Sequence, residues 1–245
     1  MRTNCLAEIS FVGTGYHGSQ IQKNAVTVQS VFQDAMKSVL GYLPDLKFCS
    51  RTDTGVHARR FYVSFFLKDE SEKGKLQAAM NATLPPDIRI NSLITVPDDF
   101  HARYSAKGKA YEYVICNSRV MDPFLIDRAY QFTWHIDEKS LEDIGTVFLG
   151  LHDFSSFCSV KSTVGDKKRR VTEVKVTRSG DIVTIRISAD GFLYNMARII
   201  VGALLQTVKG KLSREDLESY LNGKERDNLL ITVPACGLYL TEVFY

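Results

Sequence analysis

The sequence predicts a mixed α+β fold, and three observations carry that prediction. Strand-length apolar runs and stretches with apolar residues at helical spacing alternate along the chain. Over roughly the first hundred residues their order is β-α-β-β-α-β, that of a split βαβ or ferredoxin-like unit. The 245 residues are 44% hydrophobic, enough for one large domain or two small ones.

Each element has its own signal. "CLAEISFVG" is a strand, followed by the glycine-rich loop "GTGYHGSQ". "TVQSVFQDAMKSVLG" places Val28, Val31, Phe32, Ala35, Met36, Val39 and Leu40 at helical spacing, with Thr27 as its cap and Gly41 as its stop. "LKFCS" and "RFYVSFFLK" are strands, "EKGKLQAAMNATL" is a helix closed by Pro85-Pro86, and "DIRINSLITV" is a strand. A weak boundary near residue 105 follows, dividing residues 1–105 from 106–245. Beyond it come the strands "KAYEYVICN" and "AYQFTW" and the helix "EKSLEDIGTVFLG". "RRVTEVKVTRSGDIVTIRISA" is a hairpin turning at Ser179-Gly180-Asp181. "FLYNMARIIVGALLQTV" is the most apolar helix, and the helix "SREDLESYLNG" and strand "GLYLTEVFY" end the chain.

The formal charge is only +3, so charge distribution rather than total must indicate a partner. Cys5, Cys49, Cys116, Cys158 and Cys236 are odd in number and never form a CxxC pair, which points to a reducing compartment. The start reads directly as a strand, and no apolar run approaches membrane-spanning length. A soluble cytoplasmic protein is the expectation.

The stretch "FCSRTDTGVHARRF", residues 48–61, stands out for its charge between apolar runs. Asp53-Thr54-Gly55 is the tripeptide of aspartic proteases, but these need a second carboxylate to share a proton, and no second Asp-Thr/Ser-Gly exists. Arg51, on the same face as Asp53 if the segment is extended, favours an ionised carboxylate instead. A metal site needs several converging ligands, and His57 has no HxH or HxxxH company. A charged turn with Arg51 and Asp53 as a surface pair is the plain structural alternative.

Arg198 is the only charged residue between Asp190 and Lys209, inside the apolar helix. Either it snorkels to solvent or it pairs with a carboxylate such as Asp53, and both readings stay open. Positive charge gathers in three places. Residues 161–178 hold seven Lys/Arg against two acids, among them Lys167, Lys168, Arg169 and Arg170. Residues 101–111 hold Arg103, Lys107 and Lys109 with Tyr104 and Tyr111, and Arg59 and Arg60 follow the Asp53 motif. Basic side chains interleaved with aromatics suit an RNA backbone and a stacked base.

Together these residues resemble the bacterial tRNA pseudouridine synthase A family nearly end to end. "SRTDTGVHA" is similar to the family's catalytic motif GRTDAGVHA, and "FHARYSAKGKAYEY" to its FHARFSA…Y.Y segment. "HDFSSF", "DGFLYNMARIIVGALL" and "PACGLYLTEV" follow in the family's order. The resemblance implies two ferredoxin-like α/β domains sharing an extended, mainly antiparallel sheet flanked by helices. It implies a homodimer without metal or cofactor that isomerises uridine to pseudouridine in the anticodon stem-loop of tRNA. It assigns catalysis to Asp53, stacking on the target uracil to Tyr111, and the basic partner of the aspartate to Arg198. Arg51 matches an arginine near the flipped nucleotide, and Leu238 an apolar wall. The departures are Ser19 in a loop that usually reads HGWQ, Ser50 for Gly, and Thr54 for Ala. The rivals are a paralogue acting on another RNA uridine and an RNA-binding module without chemistry.

Overall fold

The protein is described by a computed structural model covering residues 2–223 and 225–245. It divides into two compact units: Met1–Lys107 with Leu240–Tyr245, and Gly108–Tyr239. The α+β class and the mainly antiparallel pairing match the sequence prediction.

The first unit is built on β1 (Thr3–Phe11), α1 (Val28–Leu40), β2 (Lys47–Phe48), β3 (His57–Leu67), α2 (Lys73–Thr83) and β4 (Ile88–Thr95). β1 is the centre strand, antiparallel to both neighbours: Ala7 faces Val63 of β3 on one side and Leu93 of β4 on the other. β2 adds two residues against β3, Lys47 opposite Ser64 and Phe48 opposite Val63. α1 begins where the sequence places it. Thr27 and Ser30 form a reciprocal capping box and Gly41 ends the helix in a left-handed conformation, an arrangement worth about 1 kcal/mol at the cap. Its apolar stripe, Val28, Phe32, Ala35 and Met36, is buried. A chain of rings, Phe32 to Phe48 to Phe61 to Phe11, runs from the helix through β2 and β3 to β1.

Residues 97–105 are tied to this unit by hydrogen bonds and ring contacts. Asn4 donates to the carbonyls of Pro97 and Phe100, Ala102 N–H donates to Ser64 Oγ, and the Tyr245 hydroxyl donates to Ala102 O at 2.8 Å. Phe100 packs on the Tyr245 ring.

The second unit contains β5 (Gly108–Cys116), β6 (Tyr130–Gln131), α3 (Glu138–Gly145), β7 (Gly150–Asp153), β8 (Lys168–Ser179), β9 (Ile182–Ala189), α4 (Met196–Val208) and α5 (Arg214–Leu221), and the start of β10 (Leu238–Phe244). β5 pairs antiparallel with β9, Tyr111 opposite Ile187, and parallel with β6. β8 and β9 form the predicted hairpin, and β7 pairs with β8. α3 packs on β8 and α4 on β5. Ten of the thirteen α4 residues are buried. Four details depart from the sequence reading. β2 and β6 are two residues long, and α3 ends at Gly145 and continues as a 3-10 turn. β7 carries no strand signal of its own. α4 starts at Met196 rather than Phe192, because Asn195 has φ 63, a left-handed conformation that stops the helix there. Among the described residues no helix is long and apolar enough to cross a membrane.

Candidate active site

Asp53 lies in the loop between β2 and β3, and the glycine-rich loop after β1 holds that loop by its backbone. Ser19 N–H donates to Thr52 O at 3.1 Å, and Thr52 N–H donates back to Ser19 Oγ at 2.8 Å. Val56 N–H closes the turn on Asp53 O at 3.2 Å. Two glycines allow the approach. A Cβ on Gly18, which has φ 84, would sit 2.5 Å from Thr52 O, and one on Gly13 would sit 1.9 Å from Val56 O. The register of β1 against β3 shifts between Ile9 and Phe11, so the strands change course just before this contact. His57 is buried and its Nδ1 accepts from Gly13 N–H at 2.9 Å, which leaves the ring proton on Nε2 and commits the ring to structure rather than to a metal. Tyr16 anchors the other end of the glycine-rich loop through its hydroxyl on Asp87, 2.6 Å away; burial and that carboxylate push its phenol pKa up. Asp53 itself is half-buried.

Arg51 is exposed and, among the described residues, forms no ion pair, so the surface-pair reading of Arg51 with Asp53 fails. Instead Arg51 lines a cavity of about 290 Å³ together with Arg103, Tyr104, His101 and Lys47. Two of the basic segments seen in the sequence therefore meet beside the Asp53 loop.

The second unit carries the other residues expected at the site. Tyr111 is buried on β5 with its ring edge-on to Phe192, centroids 4.8 Å apart. Tyr113 lies two residues on and donates its hydroxyl to Pro234 O at 2.7 Å; burial pushes its pKa up. Its ring lies so close to Gly237 that a Cβ there would be 2.7 Å from Cζ. Arg198 is half-buried, and its Nε donates to Val233 O at 2.8 Å and its Nη1 to Asn195 Oδ1 at 3.1 Å. Its guanidinium thus bonds inward, against the snorkelling alternative. Two consecutive carbonyls, Val233 and Pro234, are tethered by Arg198 and Tyr113. Leu238, buried, follows four residues after Pro234.

The first unit thus carries a half-buried carboxylate on a loop that also bears Arg51, and the second a buried tyrosine and a half-buried arginine. The model of the family described as tRNA pseudouridine synthase matches residues 7–105 and 146–245. The chain belongs to the tRNA pseudouridine synthase family. The tRNA pseudouridine synthase A of Acetivibrio thermocellus is 42% identical over 237 residues, spanning 97% of each chain. That of Caldicellulosiruptor saccharolyticus is 40% identical over 242 residues, 99% of each. That of Staphylococcus aureus is 36% identical over 239 residues, 98% of this chain and 90% of the other. The stretches matched by the pseudouridine synthase model contain Arg51, Asp53, Arg198 and Leu238, while Tyr111 falls between them.

The remaining basic residues of this pseudouridine synthase are placed unevenly. In the first unit Arg59 and Arg60 are exposed on β3, and Arg60 lies 4.0 Å from both Glu8 and Glu242, which offsets its charge. Lys107 is exposed, its backbone N–H donating to Phe244 O at 2.7 Å. In the second unit Lys109 is half-buried at the start of β5. Lys167 precedes β8, and Lys168, Arg169 and Arg170 begin it, Arg169 folding back onto the carbonyls of Asp166 and Lys168. Three residues that fasten these segments escaped the sequence reading: in the first unit Ser19 as an acceptor and Gly13 as a contact point, and in the second Tyr113 as a tether. For Tyr113 the alternation with Tyr111 along β5 was an available signal.

Proposed function

We propose that this member of the family isomerises uridine to pseudouridine in the anticodon stem-loop of tRNA, at the family's tRNA positions 38 to 40, with Asp53 as the catalytic group. The clamped, half-buried Asp53 loop carries the reading. Breaking the C1′–N1 bond develops oxocarbenium-like charge on the sugar, and an ionised carboxylate either attacks C1′ or removes a sugar proton to give a glycal. Both routes need the carboxylate fixed and anionic, which a backbone clamp and nearby cations supply. Tyr111 and Leu238 would hold the detached uracil while C5 turns toward C1′, and Arg198 would be the basic partner of Asp53. Flipping the nucleotide out of a stem costs a few kcal/mol, which phosphate contacts by Arg51, Arg103 and the Lys167–Arg170 stretch would offset.

The reading extends to a cytoplasmic homodimer working without metal or cofactor. The exposed side chains Val120, Phe124 and Ile126, close together in the chain, support a second copy as a partner. Sedimentation of the wild-type protein and of Phe124→Asp tests it, with a shift to monomer expected for the variant.

The central test is Asp53→Asn on an unmodified tRNA transcript. Binding is expected to persist while tritium release from 5-tritiated uridine falls by more than about a hundredfold, the lower range for a positioned acid or base. Full activity in that variant would overturn the assignment. Mass-spectrometric mapping of the product then reads the position modified.

A further inference from the structure

The cavity beside the Asp53 loop has a composition that the chemistry at Asp53 does not by itself require. It is lined by Arg51, Arg103 and Lys47 with no carboxylate among its lining residues, and by the amides Gln20 and Gln29 and the hydroxyl of Ser50. Lys47 is offset by Asp45 at 2.6 Å, while Arg51 and Arg103 form no ion pair among the described residues. At its edge Tyr104 is 78% exposed, so its ring is open to a ligand.

The turn that carries that ring is fastened. His101 and Ser105 bracket the turn, His101 N–H donating to Ser105 Oγ at 3.0 Å and Ser105 N–H to His101 O at 2.9 Å. The His101 Nδ1 accepts the backbone N–H groups of Arg103 and Tyr104 at 3.1 and 3.3 Å, and its ring lies 4.3 Å from that of Tyr104. The turn is fastened to the sheet at Ala102 by Ser64 and Tyr245. The Arg103 guanidinium is 5.9 Å from the Tyr104 ring. An exposed aromatic on a fastened turn, beside two guanidiniums that form no ion pair among the described residues, combines a stacking platform with anion donors, the pairing that single-stranded nucleic acid uses. A cavity of about 290 Å³ has room for one nucleotide unit rather than a duplex.

We propose that this cavity is a subsite for the nucleotide adjacent to the target uridine, with its phosphate on Arg51 and Arg103 and its base stacked on Tyr104. The inference rests on the proposed RNA reaction and adds to it the group that recognises the neighbouring nucleotide. Because His101 uses Nδ1 as an acceptor, its Nε2 carries the proton and is a donor to the bound nucleotide. Burial, reinforced by Lys47, lowers the pKa of His101 and keeps it neutral.

The test uses the full-length protein and an unmodified tRNA transcript. Tyr104→Ala is expected to raise the KM for tritium release by roughly five- to a hundredfold, the range of one lost base stack, with kcat within about threefold. Tyr104→Phe should keep the wild-type KM. Arg103→Ala should lower the slope of log Kd against log salt by about one, and Tyr104→Ala should leave that slope unchanged. Transcripts with 2-aminopurine on the 5′ or 3′ side of the target uridine provide a readout independent of turnover. Quenching at one of the two sides that disappears in Tyr104→Ala supports the subsite. An unchanged KM in Tyr104→Ala, an equal loss in Tyr104→Phe, or no Tyr104-dependent quenching at either side overturns it. Absence of tritium release by the wild-type protein would instead overturn the proposed reaction, while the quenching measurement would still decide the subsite.

Discussion

The Asp53 loop and the segment from Val233 to Leu238 are both held in place, but by different means. The first is fixed by close contacts that small residues permit: Ser19 meets Thr52 through its backbone and its short side chain, Gly13 donates to the buried His57 ring, and Gly13 and Gly18 lie against Val56 and Thr52. The second is fixed by the ends of two long side chains, Arg198 on Val233 O and Tyr113 on Pro234 O. A clamp of backbone and short or buried side chains has little rotameric freedom, whereas a tether at the end of a long side chain tolerates adjustment. Under the proposed reaction, the residue that must align with a sugar carbon is the one on the stiffer support, and the proposed apolar wall for the turning base is on the more compliant one.

Gly13→Ala tests the stiff side most severely. Its Cβ would lie 1.9 Å from a backbone oxygen, so the two loops must separate. The expected cost is about 3 kcal/mol or more, a fall in Tm of roughly 6–12 °C in calorimetry, together with most of the activity. Ser19→Ala is milder. It leaves the buried Thr52 N–H without its acceptor, at about 1–3 kcal/mol, and kcat should fall ten- to a hundredfold as Asp53 loses alignment. Tyr113→Phe probes the compliant side. Losing the bond to Pro234 O should cost about 1 kcal/mol, and kcat should fall less than about tenfold because Arg198 still holds Val233. If Tyr113→Phe lowers kcat as much as Ser19→Ala, the distinction between the two supports is wrong.

The smallest effect concerns a support that titrates. His101 holds its turn with a neutral ring whose pKa is lowered, by burial first and then by Lys47 and Arg103, with Asp45 opposing. The unfolded chain, with the ordinary value of 6.5, takes up the proton first as pH falls. The stability contributed is therefore present above about pH 6.5 and is lost as pH drops below it toward the native value. Thermal melts of the wild type should show a shallow loss there, and His101→Asn, which keeps an acceptor but cannot titrate, should flatten it.

Local signals were legible in the sequence, and long-range contacts were not. Thr27 and Gly41 bound α1 because capping is decided by neighbouring residues, and Ser179-Gly180-Asp181 marks its hairpin for the same reason. Asp53 and Arg198 stood out because a charge in an apolar setting demands a partner. β7 was not legible because its four residues become a strand only by pairing with β8. The start of α4 was misplaced because nothing in "FLYN" announces that Asn195 turns left-handed. Gly13 reads as an ordinary loop glycine until β1 and β3 pair and bring it against Val56, 43 positions along the chain. Lys167 to Arg170 and Arg103 looked alike as basic residues; only the fold puts Arg103 beside Arg51 in a cavity.

The meeting of Gly13 with Val56 also has a bearing on timing. During synthesis the motif around Asp53 leaves the ribosome some forty residues after the glycine-rich loop, and the two cannot lock until β1 has found its register on β3. A nascent or misregistered chain thus carries the carboxylate without its alignment. With Asp53 as the proposed catalytic group, competence becomes a report on completed folding, and RNA that meets an unfinished copy meets a basic polypeptide rather than a reactive one.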